Sequence, residues 1–161
     1  NLQVRGEHEL EDMSKADPSL LGRIDITLQF LHQFGDEDAY VGIECKRVGA
    51  GKSSLNALYV TNGVDRFVTG QYSAGHAWGF MLGYVLALPT LKIVDPINVR
   101  ICKKYGNQAK LTSIASHKHA LEILTGSLVQ TGNHVIHLHH LFVDMTPAAG
   151  PFSLVGTSDD I

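Results

Sequence analysis

Residues 22–48 read GRIDITLQFLHQFGDEDAYVGIECKRV, and the fold turns on how that stretch is read. Ile24, Ile26, Leu28 and Phe30 alternate with Arg23, Asp25, Thr27 and Gln29. A period of two belongs to a β-strand with one face toward a core. QFGDEDA, rich in residues that favour turns, comes next. YVGIECKRV then predicts another strand, so the two are expected to pair as an antiparallel hairpin. Asp25 in the first strand and Glu44 and Lys46 in the second are charges in apolar company. Such charges cost free energy unless they are paired or hold a metal.

Working outward, LQVRGEHEL predicts an earlier strand, with Leu2, Val4, His8 and Leu10 opposite Gln3, Arg5, Glu7 and Glu9. SKADPS, with Pro18, is expected to be a loop. After Val48 the period changes. Ala57, Val60, Val64, Phe67 and Val68 form a helical stripe, while Tyr59, Asn62 and Arg66 line a different face. Ser53 or Ser54 is placed to cap this helix and Gly70 to end it. HAWGFMLGYVLAL, residues 76–88, is apolar almost all round and is expected to be a buried helix stopped by Pro89. DPINVRICKKYGN predicts a short helix with Asp95 as its cap and Pro96 in its first turn. HVIHLHHLFVDM reads as a final strand and TPAAGPFSLVGTSDDI as a loose tail.

The 161 residues are enough for one domain with a proper core, and 44% hydrophobic with 18% charged residues is ordinary globular composition. A net charge of −3 excludes a generally basic nucleic-acid coat. It does not exclude a nucleic-acid enzyme, because a bound metal restores positive charge locally. Cys45 and Cys102 lack metal-site spacing and read as reduced thiols of an intracellular protein. The polar opening NLQVRGEHEL does not have the form of a signal peptide, and residues 76–88 are too short for a membrane span. The chain opens on Asn1 rather than methionine, as a trimmed chain would.

Side chains alternate along a strand, so Glu44 and Lys46 share a face from which Cys45 is excluded. Asp25, on an antiparallel neighbour, can project onto that same face. Two converging carboxylates suit a hard divalent cation such as Mg2+ or Mn2+. The ammonium of Lys46 can orient or deprotonate a water, or stabilise charge developing on a phosphate. Metal, water and lysine together suit phosphodiester hydrolysis. A Glu-x-Lys alone is cheaply explained as a cross-strand ion pair. The apolar strand around it, the second acid and the polar helix face that follows favour chemistry instead.

Through these residues the chain resembles the PD-(D/E)xK nuclease superfamily, the restriction-endonuclease-like fold. RIDI, YVGIECKRV and the helix after them carry the resemblance, over residues 2–70. Asp25 matches the first acid, Glu44 and Lys46 match (D/E)xK, and Ile24 stands in place of the proline. The resemblance implies an α/β domain over residues 1–146, with a central mixed sheet flanked by helices, and a tail over 147–161. It implies a Mg2+- or Mn2+-dependent nuclease acting on DNA, cytoplasmic, with a natural home in restriction or anti-phage defence. Asp25 and Glu44 would hold the metal, Glu7 is the candidate further acid, and Lys46 would assist the water. Lys52, Tyr59, Asn62 and Arg66 stand where such proteins approach the nucleic-acid backbone. A partner subunit or a second copy fits a chain without a separate recognition domain. The family core opens with a helix ahead of its first strand, and none is evident before Leu2. An RNA nuclease or toxin, and a catalytically inactive subunit serving as a binding module, stay open as alternatives.

Two further motifs compete with this reading. GAGKSS does not have the spacing of a P-loop, since Gly49, Gly51 and Lys52 crowd together. His134, His137, His139 and His140, with His117 and His119 upstream, suggest zinc, and His137 and His139 would share a strand face. No His-Glu-x-x-His helix supports that, and histidines of this kind commonly hydrogen-bond on a sheet surface.

Overall fold

The alternation in residues 23–30 and 41–48 does produce two antiparallel strands, and they sit inside a seven-stranded mixed sheet. The computed structural model describes residues 2–12, 19–30, 40–115 and 120–148. The strands are β1 (Leu2–Asp12), β2 (Ser19–Phe30), β3 (Val41–Val48), β4 (Trp78–Val85), β5 (Thr112–Ala115), β6 (Ala120–Val129) and β7 (Val135–Asp144). They lie in the order β1-β2-β3-β4-β7-β6-β5. The pairs β3–β4 and β4–β7 are parallel and the other four are antiparallel. The protein is therefore an α/β domain with a mixed sheet. The expected loop at 14–18, the turn at 33–39 and the tail beyond 148 lie outside the described residues.

Helix α1 (Ser53–Tyr59) runs through a π-helical turn (Val60–Val64) into α2 (Asp65–Val68), and α3 (Leu91–Tyr105) follows β4. Gly70, at φ +75°, ends the α1–α2 segment as its sequence position suggested. Neither expected serine caps α1: the cap position is Lys52, with no side-chain hydrogen bond. Helix α3 starts four residues before Asp95, so Pro96 lies inside it rather than at its first turn. The apolar residues Ile93 and Val94, buried on the inner face, extend the helix to Thr90.

The main correction concerns residues 76–88. They form a central strand, β4, and not a helix. A strand buried between parallel neighbours carries apolar residues on both faces, so its sequence hides the alternation that marks a half-exposed strand. Gly79, Met81, Gly83 and Val85 are buried on one face, while Trp78, Phe80, Leu82 and Tyr84 are more open. The two glycines are required by contact. A Cβ at Gly79 would stand 2.7 Å from Phe67 and 2.8 Å from Leu138, and one at Gly83 would stand 2.6 Å from Phe142.

All the described helices cover the same face of the sheet. It carries Val48, Met81, Val85, Leu124, Ile136, Leu138 and Phe142, buried beneath Val60, Val64, Phe67, Ile97 and Ile101. A Cβ at Gly63 would come within 2.5 Å of Met81, and one at Gly126 within 2.7 Å of the Ala109 carbonyl. On the opposite face Trp78 is 52% exposed and Phe80, Leu82, His137, His139 and Leu141 are half-buried. A sheet flanked by helices is thus found on one face among the described residues.

Three buried amides fix the connections around this layer. Asn56 donates to the Gly49 carbonyl at 2.9 Å and accepts from the Gly49 N–H at 3.0 Å. Asn98 does the same for Leu111. Gln130 donates to the carbonyls of Phe67 and Ser73 and accepts from the Gly75 N–H. The Asn56 bonds hold the β3–α1 loop, the Asn98 bonds the chain after α3, and the Gln130 bonds the loop at 70–76.

Filling the Gly79 notch should be destructive. Gly79→Val is expected to lower stability by about 1–3 kcal/mol, the usual cost of overpacking a filled core. The urea midpoint should fall with little change in slope, and an unchanged midpoint would contradict the close approach of Phe67.

Candidate active site

Strands β2 and β3 pair through Ile26↔Ile43, Thr27↔Gly42 and Leu28↔Val41, and their described pairing ends there. The next residue toward the site on β2 is Asp25. Its Oδ2 accepts the N–H of Cys45 at 2.6 Å, in place of a backbone partner. The carboxylate is thereby fixed beside Glu44. The sequence foresaw the shared face; it could not show that the backbone of β3 anchors the acid.

Glu44 is fully buried. Its Oε1 accepts from Lys46 Nζ and from Arg66 Nη1, the latter at 3.3 Å. Its Oε2 is buried with no partner. Burial pushes the Glu44 carboxyl up from its ordinary value, and the negative charge of Asp25 adds to this, against the opposing pull of Lys46 and Arg66. Lys46 also donates to the Cys45 carbonyl at 3.1 Å. Arg66 donates to the Tyr72 hydroxyl and lies over that ring, 5.2 Å from its centroid. Tyr72 in turn donates to the carbonyl of Arg23. A chain of hydrogen bonds thus leaves β2 at Arg23 and returns to it at Asp25 by way of Tyr72, Arg66 and β3.

Tyr72 is the residue that sequence reasoning missed. It stands in GQYSAGH, outside any periodic segment, and no local pattern marks it.

The remaining expected site residues fall in different places. Glu7, at φ +48°, has its carboxylate 3.5 Å from Arg23, with a side chain 76% exposed. It is not drawn to Asp25 and Glu44, and among the described residues no three His, Cys, Asp or Glu side chains gather to hold a metal. Tyr59 is wholly buried, its hydroxyl 2.8 Å from His140 Nδ1, and offers no surface to a nucleic acid. It lies on the buried side of the helical segment with Asn56, three residues before it, and Gly63, four residues after it. Asn62 is exposed on that turn, accepting from Thr61 Oγ1 at 3.2 Å. Arg66 is committed to Glu44 and Tyr72 rather than free as a clamp. Lys52 lies apart, beside α3.

His137, His139 and His140 pack against neighbouring rings, while His134 is exposed. His139 stacks between Trp78 and Phe80, at 5.3 and 5.2 Å between ring centres. His137 lies against Trp78 and 3.0 Å from Ser127 Oγ. His140 points to the helical face, fully buried beside Tyr59, with Nε2 unpartnered. His117 and His119 lie outside the described residues.

Two carboxylates, one with an orphaned buried oxygen and a raised pKa, fit a hard divalent cation: it would supply the missing partner and favour the ionised form. Comparison with protein-family models, curated proteins and solved structures finds no match. No described helix is long and apolar enough to cross a membrane.

The raised Glu44 carboxyl makes a signed prediction. The native state holds this proton to higher pH than the unfolded chain, so stability from this group is present at low pH and lost as pH rises through the window above its ordinary value. Glu44→Gln should therefore raise the metal-free melting temperature at pH 7, and the gain should shrink on acidification toward pH 4. Mg2+ at ten times its Kd should stabilise the wild type by about 1.4 kcal/mol and the variant far less. Equal Mg2+ stabilisation of both would remove the cation from this site.

Burial lowers His140 to about 3. Here the unfolded chain binds the proton first. Stability is thus lost as pH falls below the ordinary histidine value, by about 1.4 kcal/mol per pH unit from this group. Urea midpoints at pH 7, 6 and 5 should show this slope in the wild type, and His140→Phe should flatten it.

Proposed function

We propose that this protein is a Mg2+- or Mn2+-dependent nuclease that hydrolyses phosphodiester bonds of DNA, built on a restriction-endonuclease-like core. The observation that carries the reading is the buried, unpartnered Oε2 of Glu44 next to Asp25, with a lysine and an arginine already on the same carboxylate. The pairing with Lys46 and Arg66 leaves this buried oxygen unsatisfied, and a cation shared with Asp25 would satisfy it.

Asp25 and Glu44 would hold the cation. Once bound, it supplies Lewis-acid polarisation of a phosphoryl oxygen and makes a water more acidic. The chain's own residues do the rest. Lys46, held by Glu44 and the Cys45 carbonyl, presents an ammonium that orients a water or donates to a phosphate oxygen. Arg66 is kept in position by the Tyr72 hydroxyl and ring, and adds a second positive charge where negative charge develops. Asp25 needs no separate device to stay in place, since Cys45 fixes it. A role in restriction or anti-phage defence, in the cytoplasm, with a partner subunit or second copy aiding target choice, belongs to the same proposal.

Incubation with plasmid, linear DNA and RNA is the direct test. DNA cleavage is expected with Mg2+ or Mn2+ and should cease with excess EDTA. Lys46→Ala should lower kcat about 100-fold or more, in the range of a lost proton-transfer or charge-stabilising group. The double change His137→Gln and His139→Gln should leave cleavage largely intact. Full cleavage in EDTA would overturn the mechanism. A folded wild type with no cleavage of any nucleic acid would favour the inactive binding module, and cleavage of RNA alone the toxin-like alternative.

A further inference from the structure

Charge is distributed very unevenly along this acidic chain. Lys46 to Lys110 contains nine of the 13 Lys and Arg residues and two of the 16 Asp and Glu residues. The fold gathers several of those cations at two concavities on the helical face. One, of about 430 Å³, includes Lys52 on the loop before α1 and Lys92 and Arg100 on α3. The other, of about 330 Å³, lies between the π-helical turn and α3 and includes Arg100, Lys103 and Lys104. Arg100 belongs to both, so they adjoin.

Lys104 is neutralised by Asp65. The other four are not. Lys52, Lys92, Arg100 and Lys103 form no side-chain hydrogen bond or ion pair with any described residue. Asp95 is the acid beside them in the first concavity. The α1 wall contributes Ser53 and Asn56, without charge. Four cations with Asp95 as the acid beside them leave an excess of positive charge, whose mutual repulsion an extended anion would relieve.

The dimensions suit a polyanion better than a single phosphate. Lys92 and Lys103 are 11 residues apart on one helix, or about 16 Å. One strand of a DNA duplex presents about five phosphates over that axial distance. We propose that the groove between α1 and α3, lined by Lys52, Lys92, Arg100 and Lys103, is a second nucleic-acid contact that tracks the phosphodiester backbone of DNA. The choice of DNA as the polyanion rests on the nuclease reading above; the anion-binding chemistry does not.

The groove is separate from the carboxylate site. Arg66 reaches Glu44 from the α1–α2 segment, while Asp65, its neighbour, bonds Lys104 and Tyr105 of α3. One helical segment therefore lies between the two sites.

Binding of a fluorescently labelled 20-base-pair duplex in EDTA, followed by anisotropy over a range of salt, tests the groove without catalysis. The triple change Lys92→Ala, Arg100→Ala and Lys103→Ala should weaken binding at least tenfold at 100 mM salt. It should also reduce the slope of log affinity against log salt by about 2.7, for three lost phosphate contacts on duplex DNA. Arg100→Glu, a single exposed change shared by both concavities, serves if the triple variant does not fold, and should weaken binding tenfold by itself. Unchanged affinity and slope in these variants would overturn the groove, as would a wild type that binds no duplex. Full displacement of duplex by an equivalent of inorganic pyrophosphate would also overturn it, in favour of a small-anion site. Binding by the groove with no Mg2+-dependent cleavage would retain this inference and discard the nuclease; cleavage with unaltered binding by the variants would do the reverse.

Discussion

Burial of the Glu44 carboxylate is the constraint around which the rest of the domain is organised. A fully buried acid with one unpaired oxygen is costly, and its position beneath the π-helical turn demands that cations be brought to it. Lys46 comes from the same strand and Arg66 from the helical segment above. Arg66 in turn needs Tyr72, and Tyr72 needs the loop at 70–76, which the buried amide of Gln130 fastens to the sheet. Glycines at 63 and 79 bring helix and sheet close enough for these short side-chain reaches. The core and the polar site are therefore one construction: loosening the packing at Phe67 or Met81 would also move the arginine away from the acid.

This arrangement places two different electrostatic regions on either side of the α1–α2 segment. At the sheet, the carboxylates of Asp25 and Glu44 lie with their cations. Toward α3, the cations outnumber the two acids beside them, Asp65 and Asp95. A chain with net charge −3 can thus present a strongly positive strip, because its acids are concentrated before Lys46 and its cations after Glu44. Overall charge conveyed none of this; charge by segment did.

The charged strand pair was legible because its neighbours alternate. Asp25, Glu44 and Lys46 could be assigned to one face from period alone, and the structure brings them together. The helical segment from α1 to α2 was legible in its buried stripe of Val60, Val64 and Phe67. Strand β4 was not, since a strand covered by packing on one side and bordered by parallel partners has apolar residues at every step, which a buried helix has too. Its glycines at 79 and 83 carried the missing information, but their meaning depends on Phe67, Leu138 and Phe142, far away in sequence. Strands β5 (Thr112–Ala115) and β6 (Ala120–Val129) were not among the expected elements, and the alternation in β6 is confined to Leu124, Gly126 and Leu128 against Thr125 and Ser127. Glu7 was misjudged because position on a strand does not fix where a flexible carboxylate finds its cation: it meets Arg23 at the surface. The burial of Tyr59 was not legible, because the apolar stripe does not show that the buried face extends to the polar Asn56 and to Tyr59 beside it.

That departure sets a strict limit on how the chain can vary. The π-helical turn at Val60–Val64 contains an extra residue relative to regular α-helical winding. It fixes the angular phase of everything after it, with Arg66 turned to the sheet and Asp65 to α3. Loss of one residue here would restore a smoother helix and better local bonding, yet swing both side chains by about 100° and leave each facing the wrong neighbour. Most surface helices absorb a change of sequence more easily than a change of length. In this one the length is the more tightly held quantity, and a family alignment, if drawn, would be expected to show substitutions across residues 53–68 but no gaps.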